Sequence, residues 1–315
     1  MHELVTLGEA MAVVRSTAVG LPRPGSPAEI SFAGAEATVA VGMSRLGHRT
    51  CWIGRLGDDD AGDMITATLR GEGVDVGYAV RDAERPTGLM LRHRRTADRV
   101  SVAYYRQGLA GASLSPADLP VEVIRSARLI HLTGITAALG DQAAAAVERG
   151  VLLAREAGVT VSFDVNYRSL LWPADRARPV LSRLASMADI VFAGRREAEL
   201  VTGTSATAEH LARRLLETGA RQAVIKLGSD GALAADGRTV ERRAAPRVTE
   251  IDPVGAGDAF VAGYLSAFLD GEGLGGRLER GVRCGAFAVS VTGDWEGLPR
   301  RRELTLLDAD DNVTR

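Results

Sequence analysis

Lysine is almost absent from this chain of 315 residues: 37 of its 38 basic side chains are arginine, and Lys226 is the single lysine. A bias towards arginine codons accounts for the arginines and leaves the lone lysine unexplained. Cysteine is nearly as scarce. Cys51 and Cys284 lie far apart without CxxC or Cys/His spacing, which argues against a disulfide scaffold or a zinc centre and fits a reducing compartment. Neither sign of charge dominates. With a net charge of -2 and a pI near 6.3 there is no global field to hold a nucleic-acid backbone or an anionic membrane, so an anionic ligand has to be captured locally. No apolar run approaches the roughly 18 residues of a membrane span, and the start MHELVTLGEAMAVV lacks a basic leader; a cytoplasmic protein is expected. The sequence also lacks G-x-G-x-x-G, a Walker A element and a protein-kinase H-R-D loop, which argues against a dehydrogenase and other nucleotide folds.

What is present is a chain able to bury a full core, with 46% hydrophobic and 25% charged residues. Residues 4–8 read as a buried strand and 34–47 as a glycine-bounded helix, while the Pro- and Gly-rich 11–32 is a loop or a small strand pair. A strand and turn at 51–59, a helix at 63–73 and a strand at 74–80 follow. Residues 87–106 break the alternation: two β-rich runs flank TAD, a β-hairpin whose Arg92, Arg94, Arg95 and Arg99 read as a solvated tip. From 127 the strand–helix alternation resumes through AVIKLG, which predicts a doubly wound, mostly parallel α/β core binding ligands beyond the carboxyl ends of its strands.

The sharpest local signal is IDPVGAGDAFVAGYLSAFLDG, 251–271. Gly255, Ala256 and Gly257 allow a tight turn straight into a helix, whose free amides and dipole make a phosphate site; Asp258 in the first turn either caps the helix or meets what binds there.

This segment resembles the D-T-x-G-A-G-D signature of the PfkB, or ribokinase-like, carbohydrate kinases, and 34–47 resembles their first signature, so the resemblance covers nearly the whole chain. It implies a three-layer α/β/α core over 1–10, 33–86 and 107–315, with a small β-sheet lid over 11–32 and 87–106. By the same resemblance Asp258 is the catalytic base, Gly255, Ala256 and Gly257 the anion hole, and Asp252 the residue that orders the loop. Phosphoryl transfer from ATP needs charge stabilisation more than covalent help, and a carboxylate to take the acceptor's proton. Lys226, Gly228, Ser229 and Gly231 look like the ATP strand and loop, with a snorkelling strand-end lysine as the alternative for Lys226. Glu197 is similar to the glutamate that holds Mg2+ through water, the alternative being a surface glutamate at a helix start. The cofactors implied are ATP and Mg2+, with a monovalent cation left open.

Within the family, AYYRQGLAGASLSP, FDVNYRSLLW and the late GD are similar to segments of 2-keto-3-deoxygluconate kinases. That assigns the acceptor to Gly34, Thr38, Met90, Tyr104, Arg106, Arg168 and Asp294. Two arginines suit a carboxylate, hence a sugar acid phosphorylated on its terminal hydroxyl, although both could instead be structural ion-pair partners. Thr38, Ala33, Met90 and Gly194 depart from the family's Asn, Gly, Tyr and Asn. These departures leave two alternatives open, a kinase for another sugar of the ribose, fructose or nucleoside type and a catalytically weak sensor. The lid's open edge, with Val100, Val102 and Tyr104, calls for a partner, so a homodimer is expected.

Overall fold

The computed structural model describes residues 1–96 and 99–308. Ala97 and Asp98, in the turn of the expected hairpin, and the tail from 309 lie outside the described residues. After the buried strand β1 (Leu4–Leu7), the Pro- and Gly-rich stretch forms a strand pair, β2 (Met11–Val19) and β3 (Ala28–Ala33). Next come α1 (Ala35–Arg45), β4 (Thr50–Ile53), β5 (Arg55–Gly57) and α2 (Asp60–Gly71), the last capped by Asp59 accepting from the Gly62 amide. The strand expected over 74–80 is split into β6 (Val74–Asp75) and β7 (Val80–Asp82). The Asp75 carboxylate accepts from the Gly77 amide at 2.8 Å and turns the chain out of the sheet between them. The hairpin is β8 (Gly88–Thr96) and β9 (Arg99–Tyr105).

Alternation then resumes with α3 (Val121–Arg125), β10 (Leu129–Thr133), α4 (Gly134–Ala137), α5 (Asp141–Glu156), β11 (Thr160–Asp164) and α6 (Ala174–Met187). β12 (Ile190–Gly194), α7 (Arg195–Thr202), α8 (Ala208–Glu217), β13 (Gln222–Lys226), β14 (Ala232–Ala235), β15 (Val240–Arg243), α9 (Ala256–Leu269) and α10 (Leu274–Val289) complete it. One sheet runs β15-β14-β13-β12-β11-β10-β1-β4-β6, parallel from β6 to β13 and antiparallel at β14 and β15. Its strands are apolar on both faces because helices cover both. Val191, Ile225 and Phe163 pack with Val147, Leu181 and Leu211 of α5, α6 and α8, while Ile190, Phe192 and Val224 pack with Met43, Phe260 and Leu278 of α1, α9 and α10. Phe192 meets Tyr264 edge-on at 5.1 Å and Phe260 at 6.3 Å, which sets α9 against the sheet. Among the described residues no helix is long and apolar enough to cross a membrane.

A separate four-stranded sheet has the order β3-β2-β8-β9, with β2 and β8 parallel and both hairpins antiparallel. Its inner face carries Met11, Val13, Ala33 and Met90, with Val102 packed against them. The register sets Val100, Val102 and Tyr104 opposite Arg94, Arg92 and Met90, on that same face. The apolar side chains of the other face are different ones: Ile30, Leu91 and Tyr105, exposed by 70%, 37% and 54%. The hairpin arginines also depart from expectation. Arg95 and Arg99 are exposed, but Arg92 is only 5% exposed and Arg94 donates to the Ile251 carbonyl, because even-numbered positions of β8 face inward.

Candidate active site

The carboxyl ends of β11, β12 and β13 bring three charged side chains together. Asp164, wholly buried at the end of β11, accepts from Lys226 Nζ at the end of β13 at 2.5 Å. Glu197, in the first turn of α7, accepts from the Tyr167 amide (3.0 Å) on one oxygen and from the Gly194 amide (2.5 Å) on the other. Glu197 is therefore not a surface glutamate: it clamps the loop after β11 to the loop after β12. Asn166 makes that possible by taking a positive φ of 36°, a conformation asparagine tolerates better than most residues. Burial raises the Glu197 pKa, as does Asp164, against the pull of Lys226. Burial disfavours the charged Lys226, yet Asp164 and Glu197 outweigh it and its pKa is raised. The lysine does not snorkel; its side chain is 18% exposed and it is the counter-charge of a carboxylate cluster.

The glycine turn faces this cluster. A Cβ on Gly257 would lie 3.7 Å from Lys226 Nζ. Gly255 caps α9 with φ 78°, and a Cβ there would come within 2.0 Å of the Asp294 carbonyl oxygen, so only glycine fits. Ala256, Gly257 and Asp258 then form the first turn of α9, whose dipole favours an anion. Burial and the nearby Asp164 push the Asp258 carboxyl up to about 8, against Lys226 and Arg168. Asp252, wholly buried, accepts from the Val254 amide (3.2 Å), the Gly293 amide (3.0 Å) and Arg92, and so ties the turn to 293–294. Burial pushes the Asp294 carboxyl up to about 7 despite Arg92, whose Nη1 is 3.6 Å away.

The expected acceptor residues fall into two groups. Gly34 caps α1, and a Cβ on it would meet the Glu9 carbonyl at 2.4 Å; Thr38 is buried one turn later. Arg106 stacks over Tyr104 at 5.4 Å and donates to buried Glu9, the ion-pair alternative raised for it. Burial pushes the Glu9 carboxyl up to about 7, against Arg106. Met90 is buried on the small sheet. Arg168, by contrast, is exposed with no ion-pair partner among the described residues, while its charge acts on Asp258 and Glu197. On the nucleotide side Gly228 and Ser229 are exposed just beyond Lys226; Gly231 is buried, where a Cβ would come 1.9 Å from the Arg243 carbonyl oxygen. Four residues escaped the sequence reading: Asp164, Arg92, Glu9 and Glu36, the last accepting from Thr133 (2.8 Å) and Thr136 (2.6 Å). Two of them left a signal: Arg92 holds an inward position in the alternation Gly88, Met90, Arg92, and Asp164 opens the Asp-x-Asn-x-Arg run that ends at Arg168.

Residues 1–301 match the model of the pfkB family of carbohydrate kinases. The chain belongs to this family. It is similar to the 2-dehydro-3-deoxygluconokinase of Bacillus subtilis (strain 168), at 38% identity over 96% of this chain and 94% of that protein. It is likewise similar to the PfkB protein of Polaromonas sp. JS666 (36% identity, TM-score 0.87, 97% of this chain and 99% of that one). A sugar kinase of Pyrococcus horikoshii solved in complex with ATP has a TM-score of 0.83 at 25% identity, over 96% and 97% of the two chains. This pfkB chain is thus a sugar kinase, a phosphotransferase acting on an alcohol group.

In this pfkB kinase the carboxylates at the strand ends depend on Lys226. Lys226→Met leaves Asp164 buried without its counter-charge and is expected to lower the unfolding free energy by about 3–5 kcal/mol. Urea denaturation followed by circular dichroism measures it; a loss below about 1 kcal/mol would show that Asp164 needs no cation.

Proposed function

We propose that this kinase transfers the γ-phosphate of ATP to the terminal hydroxyl of a sugar acid, 2-keto-3-deoxygluconate, with Asp258 as general base. The observation that carries the reaction is Asp258 itself, poised at the amide-rich head of α9 beside Lys226. The acceptor's O–H gives its proton to the Asp258 carboxylate as its oxygen attacks the γ-phosphorus; ADP leaves while the amides of the Gly255–Gly257 turn hold the transferring oxygens. The ATP complex of the Pyrococcus horikoshii relative supports the donor. Both Glu197 oxygens already accept an amide, which leaves lone pairs for water and suits a Mg2+ ion that keeps several of its waters. Such an ion, when bound, neutralises charge building on the phosphates.

The acceptor class rests on Arg168. A guanidinium without a carboxylate partner among the described residues, within electrostatic reach of the base, is free to fork onto a substrate carboxylate. The activity named for the Bacillus subtilis relative, on the same sugar acid, supports this reading. The small sheet serves as a lid whose inner face covers the acceptor and excludes water. Its outer face, with Ile30, Leu91 and Tyr105 on β3, β8 and β9, pairs with a second copy.

Asp258→Asn is expected to lower kcat by about 10²-fold or more while ATP binding persists. The pH profile gives a second check. A carboxyl with a pKa raised to about 8 is protonated below that pH and cannot accept a proton, so kcat/KM climbs towards pH 8 and levels above it. The Asn variant loses that limb, and unchanged turnover would remove the base assignment. Arg168→Ala is expected to raise KM for the sugar acid by roughly tenfold or more while sparing an uncharged analogue; equal effects would favour a neutral sugar. Sedimentation at micromolar concentration should give a dimer that Ile30→Glu splits, and a monomeric native chain would refute the pairing.

A further inference from the structure

The small sheet and the glycine turn are joined by a buried ion pair that the reaction scheme above does not use. Arg92 projects from the inner face of β8, 5% exposed, and its Nη2 donates to Asp252, which is wholly buried. The other end of the fork, Nη1, has no hydrogen-bond partner and lies 3.6 Å from the Asp294 carboxylate. Asp252 also takes the Val254 and Gly293 amides, and the Asp294 carbonyl is the atom against which Gly255 turns. Arg92, Asp252, Asp294 and Gly255 therefore form one connected unit from the small sheet to the head of α9. Neighbouring strands grip the same segment: Ser31 of β3 donates to Glu296 at 2.8 Å, and Arg15 of β2, in register with Arg92, lies 3.8 Å from it.

We infer that Arg92 is a positioning residue for phosphoryl transfer, a strut that holds the Gly255–Gly257 turn in register with the small sheet. It touches neither reacting atom. A buried carboxylate needs a paired cation, and here the cation comes from the element that covers the acceptor rather than from the core. A lysine would neutralise Asp252 but, as a point charge, could not span both Asp252 and Asp294. Because displacing a reacting group by about 1 Å costs some 10²-fold, loosening the strut is felt in turnover rather than in sugar binding.

The inference rests on the head of α9 being the phosphoryl-transfer site, which Asp258→Asn tests independently. If Asp258→Asn leaves turnover intact, that reading fails; if Asp258→Asn is inactive and the Arg92 variants are normal, the strut alone fails. For Arg92→Met we expect kcat to fall about 10²-fold with the KM for 2-keto-3-deoxygluconate changed less than about threefold. Arg92→Lys should recover part of this, remaining about tenfold below the native enzyme. Asp252→Asn with Arg92→Met should be no slower than the worse single variant, as expected of two groups that act as one. Should Arg92→Met not fold, Arg92→Lys, which retains the counter-charge, decides the matter. A kcat within twofold of native for the deciding variant, a defect confined to the sugar KM, or fully multiplicative effects in the double variant would each overturn the inference.

Discussion

Three carboxylates converge where the central strands end, and a single ammonium balances them. Asp164, Glu197 and Asp258 come from β11, α7 and α9, and Asp164 raises the cost of ionising the other two. Lys226 sits against all three and pulls the Glu197 and Asp258 carboxyls down against their burial. With it, Asp164 stays paired at 2.5 Å and Asp258 is left with a pKa near the working range of a base. Lys226 also faces Gly257, where a Cβ would lie 3.7 Å from Nζ. This gives the only lysine in an arginine-rich chain a physical role, as the compact counter-charge shared by Asp164, Glu197 and Asp258.

The geometry around that charge is held by backbone as much as by side chains. Glu197 spends both oxygens on amides, so its carboxylate is locked before any ligand arrives. Gly194 shows why the expected asparagine can be dispensed with there: what Glu197 needs from that position is its N–H, which every residue but proline supplies. Gly255 is fixed by the opposite means, a contact with the Asp294 carbonyl so close that no Cβ is admitted.

How much of this could be read from the sequence follows from chain separation. The head of α9, its glycines and Asp258 occupy one contiguous run, so the turn and the helix were legible together. The parallel core was legible too, because buried strands such as Ile190–Gly194 are apolar throughout and are separated by amphipathic helices. The pairs that set the charge state were not: Arg92 meets Asp252 across 160 positions, Arg106 meets Glu9 across 97 and Lys226 meets Asp164 across 62. Read locally, an arginine in a polar hairpin is a solvated arginine. Strand alternation alone places Arg92 inward, and a partner for it exists only once the small sheet has folded over the 251–254 turn.

The same topology explains why the two arginines expected at the acceptor have different fates. Arg106 follows β9 directly and is drawn to Glu9, a carboxylate buried beside Gly88 and Gly111, whose missing side chains leave it room. Its charge is spent within the protein. Arg168 follows the positive-φ Asn166 and is exposed, while its field still reaches Asp258. Of the two, only Arg168 lacks a carboxylate partner among the described residues, and Arg106 stacks over Tyr104. Met90 and Thr38 are both buried, and each carries fewer hydrogen-bonding groups than the tyrosine and asparagine expected there, so less polar surface has to be satisfied inside the fold.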